Sequence, residues 1–348
     1  MEFSLPQLDK LVKINDGTSE EKFGYYPNNR PIAQLLSYGL ILLDKPPGTT
    51  SHEIVSYVKK ILCLEKAGHS GTLDPGTTGL LPIGLDEGTK IVPVLLMGPK
   101  EYVALARLHS HVSNEKLIQV LKEFTGPIYQ KPPQRSSVKR QTRIRTIYEL
   151  ELQDQFDRLL LLRTLCESGT YIRKLIYDIG EVLEVGASMI ELRRTKVCNF
   201  VDETEFVRLH DLVDAFQLYK ESGNEEKLRR IILPIEMAMT HIPAITIRDT
   251  AIDALCHGAQ LALPGLVSIP QNLKKGDLVG IYSLKGEIVG LGISVLEFDE
   301  FLNKKKGICF QIKRIVMKPN TYPKFWSTSN VNVNPSNPDI SSDESIFT

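Results

Sequence analysis

Asp74 stands in a polar, glycine-rich stretch, Gly68-His69-Ser70-Gly71-Thr72-Leu73-Asp74-Pro75-Gly76-Thr77-Thr78-Gly79. Pro75 biases Asp74 toward extended backbone. The glycines permit close approach of another backbone or a ligand. A carboxylate presented this way can act as a nucleophile, or it can simply close an Asx-turn, a common use of Asp in a loop. Gly169-Thr170-Tyr171-Ile172-Arg173 supplies a group of opposite charge at the start of a helix. A cation in a first turn opposes the helix dipole by about 0.3–1 kcal/mol. A facing anion offsets that cost, and the charge-assisted pair favours the ionised carboxylate. The same Arg equally suits a surface pair with a helix Glu, which contributes little. Tyr102 and Tyr171 offer rings for stacking and phenols for proton relay, as well as ordinary core packing.

Residues 131–145 hold Lys131, Arg135, Lys139, Arg140, Arg143 and Arg145 and no acid. A solvated face usually mixes both signs, so one sign alone points to phosphate contact, in RNA or another polyanion. Arg193-Arg194-Thr195-Lys196 forms a second basic cluster. Other chemistries lack their motifs. There is no GxGxxG after a strand, no GxxxxGK[ST] and no GxSxG, and His109 and His111 are too close for a helical zinc pair. The chemistry left is that of a carboxylate, without organic cofactor or metal.

The elements that must position these residues are legible. Gly39 to Leu43 reads as a strand stopped by the turn cluster Asp44-Lys45-Pro46-Pro47-Gly48. Thr50 and Glu53 form a capping box ahead of Ile54, Val55, Val58, Ile61 and Leu62 at helical spacing. Leu80 to Ile83, 101–109 and 158–166 read as strands. Ser113 caps a helix over 114–124, and Ile172, Leu175, Ile176, Ile179 and Leu183 mark another helix face. Strands and helices mix without a regular βαβ repeat, which predicts an α+β fold with a mixed, mainly antiparallel sheet. From about residue 244 short strands and Gly-centred turns predict a small all-β domain, with a hairpin about Leu284-Lys285-Gly286. Residues 327–348 are rich in Ser, Asn and Asp, without Lys or Arg, and read as a disordered tail.

Composition bounds the class. The chain has 348 residues, enough for two domains. Lys+Arg and Asp+Glu both number 42, so bulk charge does not hold it on nucleic acid, although a local basic surface can. It shows no apolar run of membrane-spanning length and no secretory leader at its N-terminus. Its 5 cysteines are widely spaced with no CxxC, which predicts free thiols in a reducing compartment. Apolar neighbours predict that Cys63 is buried.

Taken together, the motifs resemble those of the TruB/dyskerin pseudouridine synthases. Asp44 to His52 resembles the first motif, and Gly68 to Pro75 the catalytic loop. Lys100-Glu101-Tyr102, Gly169 to Arg173 and Glu191-Leu192-Arg193-Arg194-Thr195 resemble three further motifs in order, and Lys131 to Arg140 the thumb loop. Gly76-Thr77-Thr78 departs from a pattern that often has a basic residue followed by Val or Ile. From about 38 to Trp326 the likeness is greatest to the archaeal dyskerin homologues, catalytic subunits of H/ACA ribonucleoproteins. His257-Gly258-Ala259, Pro264-Gly265 and Lys275 to Val279 resemble a PUA domain, a pseudo-barrel that binds RNA.

The resemblance implies an isomerase that converts uridine to pseudouridine in ribosomal RNA, guided by H/ACA RNA, with the tRNA T-loop as a second substrate. A stand-alone tRNA synthase, or a non-catalytic RNA scaffold, would be the alternatives. Asp74 would be the nucleophile, Arg173 its partner, Tyr102 the ring stacked on the flipped base and Tyr171 a ring-side proton acceptor. Leu192 would floor the pocket and Lys45 would buttress the loop. His69 would lie beside the target strand, and His257 and Gly258 would touch RNA. Partners would be guide and target RNA, two small core proteins and a kink-turn-binding ribosomal-type protein, with no membrane. The implied setting is cytoplasmic, or nucleolar in a eukaryote. Expected domains are an arm at 1–37 packed on the PUA domain, a catalytic domain at 38–243, the PUA domain at 244–320 and a tail at 321–348.

Overall fold

Strand Gly39–Lys45 is apolar on both faces and buried throughout except at Asp44. It pairs antiparallel with Thr78–Leu85, Leu40 opposite Gly84 and Lys45 opposite Gly79. The turn cluster predicts an end at Asp44. The strand runs on through Lys45, which lies opposite Gly79 and whose ammonium finds main-chain carbonyls to bind. Thr50 and Glu53 cap the next helix, Ser51–Ile61, by accepting from each other's backbone N–H at 3.1 and 2.7 Å. The computed structural model describes Leu8 and residues 10–132, 141–201 and 206–325. The expected tail from 327, and Arg135, Lys139 and Arg140 of the basic run, lie outside the described residues.

Two mixed sheets carry the fold. The larger runs Leu233–Pro234, Gly39–Lys45, Thr78–Leu85, Ala187–Val197, Lys100–Leu108, Leu159–Cys166, Arg143–Phe156 and Gly126–Gln130. Ala67–His69 and Phe200–Val201 pair off this path. Thr78–Leu85 lies parallel to Ala187–Val197, Gly79 opposite Arg194, while its neighbours in the order pair antiparallel. Helices Asn114–Glu123 and Ile172–Val182 bury Leu117, Leu121, Leu175 and Ile179 against Ala104, Leu160 and Leu162. Helices Ser51–Ile61 and Leu209–Ser222 bury Ile54, Val58 and Leu212 against Ile41, Leu43 and Ile83.

The smaller sheet runs Leu11–Lys13, Leu266–Pro270, Ala244–Ile247, Leu278–Tyr282, Ile288–Ser294, Ile308–Ile315 and Leu261–Ala262. Leu278–Tyr282 and Ile288–Ser294 are the expected hairpin. Two short helices, Asp249–Cys256 and Phe298–Asn303, close its core. A shared apolar cluster joins the sheets, with Tyr38, Leu40 and Leu80 against Met239, Tyr282, Ile288 and Leu291.

The first segment is stitched to both sheets. Leu11 lies opposite Pro270, and the buried Lys285 ammonium binds the carbonyls of Glu20, Glu21 and Phe23. Arg30 forks onto Glu236 at 2.6 and 2.8 Å, and Glu236 also accepts the Ile288 N–H at 3.0 Å. Both side chains of that pair are buried.

Cys63 corrects the sequence reading. It is exposed, in a left-handed turn (φ 55°) just past the end of its helix, so its apolar neighbours turn inward while the thiol turns out. Cys166, Cys198 and Cys309 are buried free thiols. Among the described residues no helix is long and apolar enough to cross a membrane.

Breaking a buried ion pair strands its survivor. Glu236→Ala should destabilise the protein by about 3–5 kcal/mol, while Arg30→Met/Glu236→Met should recover most of that loss. Urea unfolding monitored by far-UV circular dichroism checks both.

Candidate active site

The Asp74 loop makes few regular hydrogen bonds of its own, so its shape comes from neighbours. Within it, the Thr77 N–H reaches the Asp74 carbonyl at 2.9 Å. Three side chains tie it down from outside. The Lys45 ammonium donates to the carbonyls of Pro46, Pro75 and Thr77 at 3.0, 3.1 and 2.9 Å. Ser51 clamps Leu73, its hydroxyl accepting the Leu73 N–H at 2.9 Å and donating to the Leu73 carbonyl at 3.2 Å. Arg194 donates to the carbonyls of Gly71 and Leu80 at 3.2 and 2.8 Å. Burial pulls the Lys45 pKa down, with nearby Asp74 and Glu53 opposing the shift.

Gly79 is the hinge of this arrangement. Its φ of +100° suits glycine, and a Cβ there would sit 2.2 Å from the Arg194 carbonyl. The end of the loop can therefore enter the sheet directly beside the strand that carries Arg194.

Asp74 meets Arg173 at 3.0 Å. Their side chains are 60% and 65% exposed, so the pair adds little to stability as it stands. Its value is geometric: it aims the carboxylate, and it would strengthen once a bound ring excluded water. Arg173 sits at the second position of Ile172–Val182, whose first turn holds no acid, so Asp74 supplies the anion that turn lacks. Tyr171 caps the same helix through its backbone. Its N–H donates to the Gln130 side-chain oxygen at 2.9 Å, and its carbonyl accepts from the Gln130 amide at 3.1 Å. Gln130 is buried, so this two-point grip fixes the start of the helix.

Tyr102, Leu192 and Arg194 share one face of the sheet, Tyr102 opposite Arg194 and Leu192 opposite Ala104. Tyr102 and Leu192 pack partly against the apolar cluster below, as the floor of a pocket would. Burial pushes the Tyr102 phenol up and the Arg194 guanidinium down. The charge interaction between the two groups opposes each shift.

His69 stands edge to face with His52, ring centres 5.1 Å apart. Among the described residues its ring nitrogens are buried without a partner outside the residue itself. Burial, then neighbouring His52 and Arg194, hold its pKa down to about 4, so the ring is neutral at physiological pH.

The basic residues separate. Lys131 is exposed, and Arg143 and Arg145 line a small cleft with Gln130, Pro132, Gly169 and Tyr171. Arg145 is partly committed, pairing with Glu167 at 3.0 Å. The second basic cluster is corrected. Arg194 is 1% exposed and Arg193 forks onto Asp44 at 2.9 and 3.3 Å, so these two brace the site instead of presenting charge. His257 and Gly258 lie exposed at the end of helix Asp249–Cys256 on the smaller sheet, His257 bonded to the Asp253 carbonyl at 2.8 Å. Among the described residues no group of three His, Cys, Asp or Glu side chains is placed to hold a metal. Ser51, Gln130 and the inward role of Arg194 escaped the sequence reading. The one available signal was a polar residue at an apolar position of each element.

The model "TruB family pseudouridylate synthase (N terminal domain)" matches residues 59–172, and "tRNA pseudouridylate synthase B C-terminal domain" matches 173–240. PUA and DKCLD domain models match 243–316 and 1–55. The probable tRNA pseudouridine synthase B of Methanopyrus kandleri is 50% identical over 91% of this chain and 94% of its own. The chain belongs to the TruB family of pseudouridine synthases. The Pyrococcus furiosus relative of the same name is 47% identical over 91% of this synthase and 93% of its own length. Two solved structures share 45% identity and a TM-score of 0.84. One is the archaeal box H/ACA sRNP Nop10-Cbf5 complex, covering 91% of this synthase and 98% of the matched chain. The other is an H/ACA RNP bound to a substrate RNA containing 2'-deoxyuridine, covering 91% and 97%. This enzyme is therefore an isomerase of the α+β TruB fold, with a PUA domain, that forms pseudouridine from uridine.

Lys45→Met removes two ties from the loop, at Pro75 and Thr77, and a third that joins it to Pro46. It should lower the rate at saturating RNA by about tenfold to a hundredfold with little change in RNA affinity, checked by single-turnover conversion and filter binding. His69 has a depressed pKa in the fold, so below about 6.5 the unfolded chain takes a proton that the native ring refuses. Stability should fall as pH drops from about 6.5 to about 4, and His69→Gln should flatten that slope in urea titrations.

Proposed function

We propose that this synthase modifies ribosomal RNA as the catalytic subunit of an H/ACA ribonucleoprotein, with the tRNA T-loop uridine as a second substrate. The observation that carries the catalytic part is the Asp74–Arg173 pair, with Asp74 near enough to Tyr102 to act on its phenol and Leu192 on the same sheet face as Tyr102. A stacked or paired uracil must be flipped out to reach it. Asp74 then acts as nucleophile, toward C1′ or toward the base; the C1′–N1 bond breaks, the bond to Asp74 breaks in turn as C1′ joins C5, C5 gives up its proton and N1 gains one. Nothing is oxidised and no group is lost, so orientation and a dry pocket suffice without a cofactor.

Each neighbour has a part in this reading. Arg173 aims Asp74, Tyr102 stacks on the base, Tyr171 takes the C5 proton and Leu192 closes the floor. Lys45 buttresses the loop, and neutral His69 lies beside the everted strand. Lys131, Arg135, Lys139, Arg140, Arg143 and Arg145 approach the target backbone, Arg145 after exchanging Glu167 for phosphate.

The guided reading draws support from likeness along 91% of the chain to H/ACA particles. It implies guide RNA, target ribosomal RNA, two small core proteins and a kink-turn-binding ribosomal-type protein as partners, in the cytoplasm of an archaeal cell. The chain would divide into an arm at 1–37, the catalytic domain at 38–243, the PUA domain at 244–320 and a tail at 321–348, with His257 and Gly258 at the guide. The relatives' name favours tRNA as the second substrate.

Asp74→Asn should abolish product while RNA affinity stays near normal; a large loss of binding would make Asp74 a recognition residue. Conversion should be compared on a T-loop RNA alone and on a guide–target pair with the partner proteins. Conversion confined to the guided reaction supports the particle. Efficient conversion of bare T-loop RNA, with no gain from guide or partners, supports a stand-alone enzyme.

A further inference from the structure

Lys100 opens the strand that carries Tyr102, and it is 4% exposed. Its ammonium faces four oxygens. Three are the carbonyls of Leu95, Leu96 and Gly98, at 3.2, 3.0 and 2.8 Å, at the C-terminal end of helix Val92–Met97. The fourth is the Ser168 hydroxyl at 3.1 Å. No carboxylate is among these partners. The three carbonyls make a helix cap, which any structural lysine could provide. The fourth contact reaches a different part of the molecule.

Ser168 belongs to the short connection between strand Leu159–Cys166 and helix Ile172–Val182. That connection holds Gly169 at φ +79° and is closed by the Thr170 hydroxyl on the Glu167 carbonyl at 2.7 Å. Tyr171 and Arg173 follow directly. Their placement against Asp74 depends on where this connection sits, and Lys100 ties it at Ser168 while Gln130 holds it at Tyr171.

We propose that charged Lys100 is a positioning residue for the isomerisation, tying the connection that carries Tyr171 and Arg173 to the rigid end of helix Val92–Met97. The proposal rests on the roles given above to Asp74, Arg173 and Tyr171. An ammonium has three protons to share among these acceptors, whereas a neutral amine has two and turns a lone pair toward carbonyl oxygens. Loss of the proton therefore loosens the grip.

The surroundings bring that loss within reach. Burial lowers the Lys100 pKa to about 8; Arg194 lowers it further, while Cys198 and Cys166 oppose the shift. His241, itself held down by burial, is a further neighbour of this charge. The tie is thus complete at neutral pH and released as pH rises through about 8.

The test measures single-turnover conversion and RNA affinity from about pH 6 to pH 10 for wild type, Lys100→Arg and Ser168→Ala. Ser168→Ala cuts only the link to the connection and leaves the helix carbonyls capped, so the test survives if Lys100 variants fail to fold. It should slow conversion by about tenfold, with affinity and melting temperature unchanged. Lys100→Arg keeps its charge, so its rate should hold to higher pH than wild type. A wild-type rate in Ser168→Ala overturns the proposal. So does an alkaline fall that is identical in Lys100→Arg, which would belong to the RNA. Asp74→Asn runs alongside: if wild type itself gives no more product than this variant, the active-site reading fails, whereas an active wild type with an unaffected Ser168→Ala fails only this inference.

Discussion

A loop that offers an exposed carboxylate to water cannot also bury that carboxylate in a hydrogen-bond network, so it must be held by its main chain. Here buried cations do the holding. Lys45 gathers carbonyls from Pro46, Pro75 and Thr77, and Arg194 gathers those of Gly71 and Leu80. Neither side chain has a carboxylate among these bonds. Burying a cation this way costs solvation, and the carbonyl oxygens offset that cost only if all of them stay in place. The cations and the loop therefore enforce each other's position, and Asp74 is left with Arg173 as its aim.

Much of this is legible in the sequence. The Thr50–Glu53 box, the helix face from Ile172 to Leu183 and the hairpin about Gly286 follow from local rules, and local rules hold where one element decides the outcome. The side chains misread share a different property. Arg193 and Arg194 are adjacent on one strand and point to opposite faces, so one reaches Asp44 and the other the interior. A run of basic letters says nothing about that alternation until the register against Tyr102 is known. Ser51 and Gln130 were passed over for the same reason. Each satisfies a backbone group distant in sequence, Leu73 or Tyr171, and a one-dimensional pattern does not carry that pairing. Cys63 failed for a local reason: one left-handed residue reversed the direction its neighbours implied.

The basic run 131–145 marks another limit of composition. Lys131 is exposed, yet Arg145 is half-spent on Glu167 and Arg143 lines a cleft beside Tyr171. Charge near the site is thus graded, from open to already paired. A polyanion entering there must exchange partners as well as meet bare charge, which favours selectivity over raw attraction.

The arm has a consequence in time. Leu11 pairs with Pro270, Arg30 with Glu236, and Tyr25 donates its backbone N–H to Glu287 at 2.9 Å. A ribosome delivers the arm first and these partners more than two hundred residues later. Through most of synthesis the opening segment has nothing to bind, and it docks only when both sheets exist in their final relation. Its docking cannot be complete before the last of these partners is made, and a chain truncated between Pro270 and Glu287 would keep the first two ties and lose the third, leaving the segment about Tyr25 more open to proteases.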